Sequence, residues 1–371
     1  MKTKRPKRAR IAAVGLAASG AIVLAGCGAA NEGSSAGGAS SAPSANVSGT
    51  ISGAGASSQQ AAMQAWIAGF TGANPDATVN YDPVGSGGGR TQFVEGGTAF
   101  AGSDAYLKDQ QLEQARTRCG GSVIEVPNYV SPIAVVYKLD GVSNLNLAPA
   151  TIAGIFDRKI TTWNAPEIAA DNPGVTLPNT PITPVNRSDE SGTTENFTEY
   201  LSAAAPQAWP HEPDGNWPVQ GGEAAQGTSG VIGAVSGGNG TIGYADASQA
   251  GQLGKVNVKV GNDYVGPTPE AAAKILEESQ RVEGQGDTSF AFELNRTTTE
   301  AGTYPIVLVS YLIACPQYSD VAQANLVKAF MGYVVSADGQ QAAAQAAGSA
   351  PLSDTLRQQI TPVIDGIKAS G

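Results

Sequence analysis

The sequence predicts an α/β fold of alternating strands and helices. From residue 47 onward, segments with the two-residue alternation of strands trade places with segments whose apolar residues recur at helical spacing. Three of the strand-to-helix passages run through glycine and hydroxyl residues, at 53–58 (GAGASS), 85–89 (GSGGG) and 188–193 (SDESGT). Size agrees: 371 residues with 41% hydrophobic content can bury one large core or two ordinary ones, and no internal repeat or second linker divides the chain beyond residue 47.

Each element has its own justification. VSGTIS (47–52) reads as a strand and leads into GAGASSQQAAMQAWIAGF (53–70), where Met63, Trp66, Ile67 and Phe70 fall at i, i+3, i+4 and i+7, one face of an amphipathic helix. TVNYDPV (78–84) alternates as a strand, and GSGGGRTQFVEGG (85–97) repeats the glycine loop that opens a helix. Further strands are expected at SPIAVVYKL (131–139), PITPVN (181–186), TIGYAD (241–246) and YPIVLVSYLIA (304–314). The aromatic residues of IFDRKITTWN (155–164) read as core.

The first 46 residues are of another kind. Lys2, Lys4, Arg5, Lys7, Arg8 and Arg10 make a basic head without an acid, followed by the apolar run IAAVGLAASGAIVLAG (11–26). That run is short for a membrane span of about 20 residues and reads as a secretory signal. It closes in LAGC, which resembles the lipobox of bacterial lipoproteins, where cleavage before the cysteine leaves it to carry lipid. The alternative is a signal peptide cut elsewhere, with Cys27 there by chance. Residues 1–26 are therefore read as a lipoprotein signal peptide, and 27–46 as lipidated Cys27 plus a flexible Gly/Ser/Ala linker. The folded part is expected at the outer face of the cytoplasmic membrane, anchored through lipid. The formal net charge is −10 in spite of the basic head, so the rest offers no electrostatic footprint for nucleic acid.

Cys119 and Cys315 are an even pair in an exported chain, most simply a bridge; the alternative is two buried thiols. His211 is the single histidine and sits in the Pro-rich WPHEPDGNWP, which reads as a surface loop. No metal-ligand constellation and no cofactor are expected. GNGTIG (238–243) matches G-x-G-x-x-G but runs into a strand instead of opening a helix, and neither a phosphate-binding P-loop nor a nucleophile elbow is present.

The three glycine and hydroxyl loops point to anion chemistry. The first N–H groups of a helix have no intrahelical partner and carry the positive end of its dipole, glycine lets a ligand approach the backbone, and hydroxyls add donors. Any one of them reads as ordinary helix capping. Three together, the last preceded by Arg187, favour an anion site.

The stretch from 47 to 371 resembles the PstS family, the phosphate-binding proteins of bacterial ABC-type phosphate importers, especially its actinobacterial lipoprotein forms. The motifs that carry the resemblance are GAGASS, GSGGG, AGSDAYL (101–107), TIAGIFDRKITTWN (151–164), RSDESGTT (187–194), TIGYAD and YPIV (304–307). Two departures are visible: Ser57 and Ser58 stand where the family often has threonine followed by an aromatic residue, and Gly87 where a second serine is common. The resemblance implies a type II periplasmic-binding-protein fold, two lobes joined by two crossing hinge strands. Lobe one is expected at 47–129 and 305–371, lobe two at 130–304, with PNYVSP (127–132) and TYPIV (303–307) as the crossings and both Cys119 and Cys315 in lobe one.

The phosphate contacts that it implies are Ser57 with the Ser58 backbone N–H, Ser86 and Asp104 from lobe one, and Arg187, Ser191, Gly192 and Thr193 from lobe two. Asp189 would orient the Arg187 guanidinium, or else serve as a plain helix N-cap. Glu190 and Glu195 are read as solvated surface. The expected function is capture of inorganic phosphate and its delivery to the permease and ATPase subunits of an ABC importer. The alternatives are a secreted phosphatase using the same anion cradle, a receptor for sulfate or molybdate, and a surface lipoprotein with a vestigial site.

Overall fold

The structure is a computed structural model that describes residues 47–370, so the readings placed on residues 1–46, Cys27 among them, lie outside the described residues. One continuous path of strands organises it, in the order Ala77–Asp82, Gly49–Gly55, Phe100–Ser103, Val307–Ala314, Ile124–Lys138, Thr241–Asp246, Thr183–Arg187, Glu223–Ala225. The first three strands are mutually parallel, as are the last three, and antiparallel pairings through Val307–Ala314 and Ile124–Lys138 join the two sets. Each parallel set with its helices is one lobe of a type II periplasmic-binding-protein fold. Strands buried on both faces read as continuous apolar runs, and VLVSYLIA at 307–314 is buried throughout.

The strand expected at 131–139 is longer, Ile124–Lys138, because its prolines do not end it. Residues 124–132 pair with Val307–Ala314, and residues 133–138 change partner to Thr241–Asp246, so a single strand serves both lobes. A register shift between Ser310 and Tyr311 leaves Asn128 as the extra residue between Pro127 and Tyr129, a bulge of the kind that tolerates a missing N–H.

The first amphipathic helix is Gln60–Ala73 and buries Met63, Trp66 and Phe70. It packs on helices from the far end of the chain: Phe70 meets Phe330 edge-on at 5.4 Å, and the Trp66 indole donates to Gly339 O at 2.7 Å. In the second lobe, Phe156 meets Phe197 at 4.9 Å and Phe197 stacks on Tyr244 at 4.4 Å. Phe156 and Trp163 are core, as read from sequence. Cys119 and Cys315 are joined with Cα atoms 5.0 Å apart, tying the end of helix Asp109–Arg118 to the end of strand Val307–Ala314. No helix among the described residues is long and apolar enough to cross a membrane.

Candidate functional site

Each expected loop lies where a strand hands over to a helix. Strand Gly49–Gly55 ends against Gly102, and a Cβ on Gly55 would collide with the Gly102 carbonyl, so only glycine lets Ser57 and Ser58 follow at this height. Helix Ser86–Val94 starts at the second loop, and Asp104 follows strand Phe100–Ser103. From the other lobe, Arg187 ends strand Thr183–Arg187 and Ser191 caps helix Gly192–Ala204 by accepting the Thr194 N–H at 3.2 Å. The cap of that helix is therefore Ser191, and Asp189 is free for another task. The two lobes touch here: a Cβ on Gly192 would lie 2.5 Å from Ser86 Oγ and 2.7 Å from Asp104 Cβ.

That other task is Arg187. Its Nε donates to Asp189 Oδ1 at 2.8 Å and its Nη2 to Asp189 Oδ2, a two-point grip that fixes the guanidinium plane. Both partners are largely out of solvent. Burial works against ionisation of Asp189, but the Arg187 pair and the Gly227 N–H, 3.0 Å from Oδ1, hold its carboxyl below the usual range.

Asp104 stands opposite in character, buried among neutral donors. Ser58 Oγ donates toward both carboxylate oxygens at 2.7 and 2.8 Å, Ser310 Oγ to Oδ1 at 2.6 Å and Thr193 Oγ1 to Oδ2 at 3.0 Å. Burial pushes its pKa up, and the hydroxyls of Ser310, Ser58 and Thr193 and the charge of Arg187 pull it back. Its carbonyl accepts from Asn196 Nδ2 at 2.8 Å.

The serines share a pattern. Ser86 Oγ accepts the Asp104 N–H at 3.1 Å, Ser191 Oγ accepts Thr194 N–H, and Ser57 Oγ accepts the Thr228 N–H at 3.1 Å. A hydroxyl whose lone pair is taken by a backbone N–H keeps its proton for an acceptor. Together with the helix starts, this makes a donor-rich cleft with a fixed cation, Arg187, and two carboxylates, Asp189 committed to that cation and Asp104 held by hydroxyls.

Sequence reasoning missed several participants. Ser310 is a lone serine in an apolar strand, which was its signal. Thr228 stands in QGTSG (226–230), in the first turn of helix Gly227–Gly237, with the same glycine and hydroxyl signature as the three loops at 53–58, 85–89 and 188–193. Gln249 donates to the carbonyls of Ser57 and Ser58 at 3.0 and 2.9 Å. Ser58 enters through its side chain as well as its position.

The reading of Glu190 and Glu195 as solvated surface is overturned for Glu195, while Glu190 stays partly exposed but is ion-paired. Glu190 pairs with the buried Arg90 at 2.9 Å, and Glu195 pairs with Lys108 at 2.9 Å and lies 3.8 Å from Arg90. Lys108 also reaches Glu199 at 2.8 Å, and Glu199 meets Arg296 at 3.1 Å. The sequence conceals this because the cations lie some 80 to 100 positions away in the chain, beyond any helical spacing rule. His211 lies in a partly exposed loop, as expected, and from there holds Asp157 at 2.7 Å. Among the described residues there is no cluster of acids, histidines or cysteines able to hold a metal ion.

Two α/β lobes that bring hydroxyls, helix starts and one clamped arginine together across a cleft define a binding protein for a small oxyanion. A family model described as PBP superfamily domain matches residues 40–338. Phosphate-binding protein PstS2 of Mycobacterium bovis is 35% identical over 369 residues, 96% of this chain and 98% of that protein. Phosphate-binding protein PstS 3 of Mycobacterium tuberculosis is 36% identical over the same 369 residues and shares of each chain. A solved structure of a high-affinity periplasmic phosphate-binding protein, PfluDING, bound with phosphate superposes with a TM-score of 0.67 at 22% identity, over 86% of this chain and 99% of that one, a likeness of fold. The chain belongs to the PstS family of phosphate-binding proteins within the PBP superfamily. Membership in a family of binding proteins sets the phosphatase reading aside.

Proposed function

We propose that this protein is an extracytoplasmic receptor that captures inorganic phosphate between its lobes and delivers it to an ABC importer. The observation that carries the reading is the pairing of a clamped Arg187 with a hydroxyl-bonded, buried Asp104 in one donor-rich cleft. Arg187 supplies a planar fork of donors to phosphate oxygens. Ser57, the Ser58 backbone, Ser86, Ser191, Gly192 and Thr193 supply the remaining donors, and Asp189 holds the arginine. Asp104 accepts a hydrogen bond from the P–O–H group that phosphate retains near neutral pH and sulfate lacks.

The lobes divide at 47–129 with 305–371 and at 130–304, and the Cys119–Cys315 bridge braces lobe one without spanning the cleft. Cys27 carries the lipid that holds the receptor at the outer face of the membrane, and the permease and ATPase subunits are its partners. Titration calorimetry of the mature protein with phosphate, sulfate and molybdate tests the ligand: heat with phosphate and little with sulfate supports the reading, and no heat with phosphate ends it. Mass spectrometry that finds residue 27 unmodified at an intact mature N-terminus ends the anchor.

A further inference from the structure

Helix Gly227–Gly237 supplies none of the proposed phosphate contacts, yet its first two N–H groups both reach into the site. Gly227 N–H donates to Asp189 Oδ1, the oxygen that also holds Arg187 Nε. Thr228 N–H donates to Ser57 Oγ at 3.1 Å, and Thr228 Oγ1 lies 3.1 Å from the same Ser57 Oγ. Ser57 and Thr228 are both buried, 171 positions apart, one on each side of the cleft. From this geometry we infer that Thr228 is a positioning residue that aims the Ser57 proton at the bound anion and makes that bond only when the lobes are closed. The inference rests on the phosphate reading.

The hydrogen-bond inventory of Ser57 carries it. A serine hydroxyl has one proton and two lone pairs, and the Thr228 N–H occupies one of these. If Ser57 gave its proton to Thr228 Oγ1, it would have none for the ligand. An anion oxygen in the cleft accepts only, so it draws the Ser57 proton to itself and leaves the second lone pair to the Thr228 O–H. The chain then runs from the Thr228 hydroxyl to the Ser57 hydroxyl to the anion, each bond polarising the next. Separated lobes cannot make it, so Thr228 acts on release of the ligand and not on its encounter.

Stopped-flow measurement of phosphate association and dissociation on the full protein tests this. Thr228→Val keeps the shape, a methyl group and the backbone N–H but deletes the hydroxyl, and dissociation should accelerate about threefold to tenfold, the span of one net hydrogen bond, with association unchanged. Thr228→Ser restores the hydroxyl without the methyl and should release phosphate at the parental rate. In a Ser57→Ala background, Thr228→Val should add nothing. A parental dissociation rate in Thr228→Val, an equal loss in Thr228→Ser, or full additivity with Ser57→Ala overturns the role of Thr228 while leaving the receptor reading intact. Absence of phosphate binding by the parent overturns both. If Thr228→Val is unstable by circular dichroism, Thr228→Ala against Thr228→Ser makes the same comparison.

Discussion

Residues 187–199 serve two regions of the cleft that solve opposite problems. Toward the centre, Arg187, Asp189, Ser191 and Thr193 join Ser58, Ser86, Asp104 and Ser310 in a lattice of neutral hydroxyls around few charges. Toward the rim, Glu190, Glu195 and Glu199 meet Arg90, Lys108 and Arg296 as formal ion pairs. The difference shows in the acids. Glu199, beside two cations, is held below the ordinary carboxylate range against the effect of burial, whereas Asp104, with hydroxyls at bonding distance, is pushed up by burial. Neutral dipoles fixed in place can tell one oxyanion from another. Paired charges at a rim, of which those of Arg90 and Lys108 reach between the two sets of strands, need only opposite sign.

The largest effect expected is on selectivity. A site that hydrogen-bonds a particular group can reject an analogue lacking it by roughly 10⁴ or more, so Asp104→Asn should weaken phosphate, improve sulfate relative to it, and erode most of such a ratio. In the parent, sulfate should bind better as pH falls, because the raised pKa of Asp104 brings its protonation toward neutral and a protonated carboxyl can donate. Parallel calorimetric titrations with both anions check this, and an unchanged ratio in Asp104→Asn removes the carboxylate as discriminator.

Next comes the central cation. Loss of a desolvated charge-assisted contact costs about 2–5 kcal/mol, so Arg187→Ala should weaken phosphate on the order of 30-fold to several thousandfold while circular dichroism stays parental. Unchanged affinity would take Arg187 out of the site.

The rim should answer more weakly and to salt. Its partly buried pairs are worth about 0.2–1 kcal/mol each and Lys108 makes two of them, so Lys108→Met should speed phosphate release by less than about thirtyfold. Raising salt from about 0.05 M to about 0.5 M should accelerate release in the parent and much less in Lys108→Met, since screening removes what the substitution has already removed. An equal salt response in both proteins would make the rim pairs incidental to closure.

The last test reads stability in place of binding and separates burial from pairing. Glu125 is wholly buried, accepts the Leu107 N–H at 2.7 Å and the Ser289 hydroxyl at 2.8 Å, and burial pushes it up to about 7. An acid whose folded pKa lies above its unfolded value of about 4.3 contributes stability that is present below that value and lost as pH rises through about 7. Glu199, shifted downward, contributes stability that is present above about 4.3 and lost as pH falls through its folded pKa. Thermal unfolding between about pH 5 and about pH 8 should therefore show a decline in the parent that is shallower in Glu125→Gln. An identical slope would deny Glu125 its part.

The same contrast explains how much could be read in advance. The centre was legible because its chemistry is local: glycine and hydroxyl residues between a strand and a helix announce free N–H groups, and Arg187 and Asp189 sit within the same few residues. The amphipathic face of Met63, Trp66 and Phe70 was legible for the same reason. The rim was not, since Glu195 gives no sign in sequence of meeting Lys108. Ser310 and Thr228 fall between these cases: each had a local signal, but only folding brings Ser310 to Asp104 and Thr228 to Ser57. The extended character of PNYVSP was legible from its prolines, whereas the bulge at Asn128, which depends on the partner strand, was not.

The bond between Cys119 and Cys315 has a practical consequence for watching this receptor at work. It leaves no free thiol among the described residues for a maleimide dye, and acylation of Cys27 would occupy the remaining one. A single cysteine introduced on one wall of the cleft then becomes a unique address for a fluorophore, and the receptor turns into its own optical reporter of opening and closing.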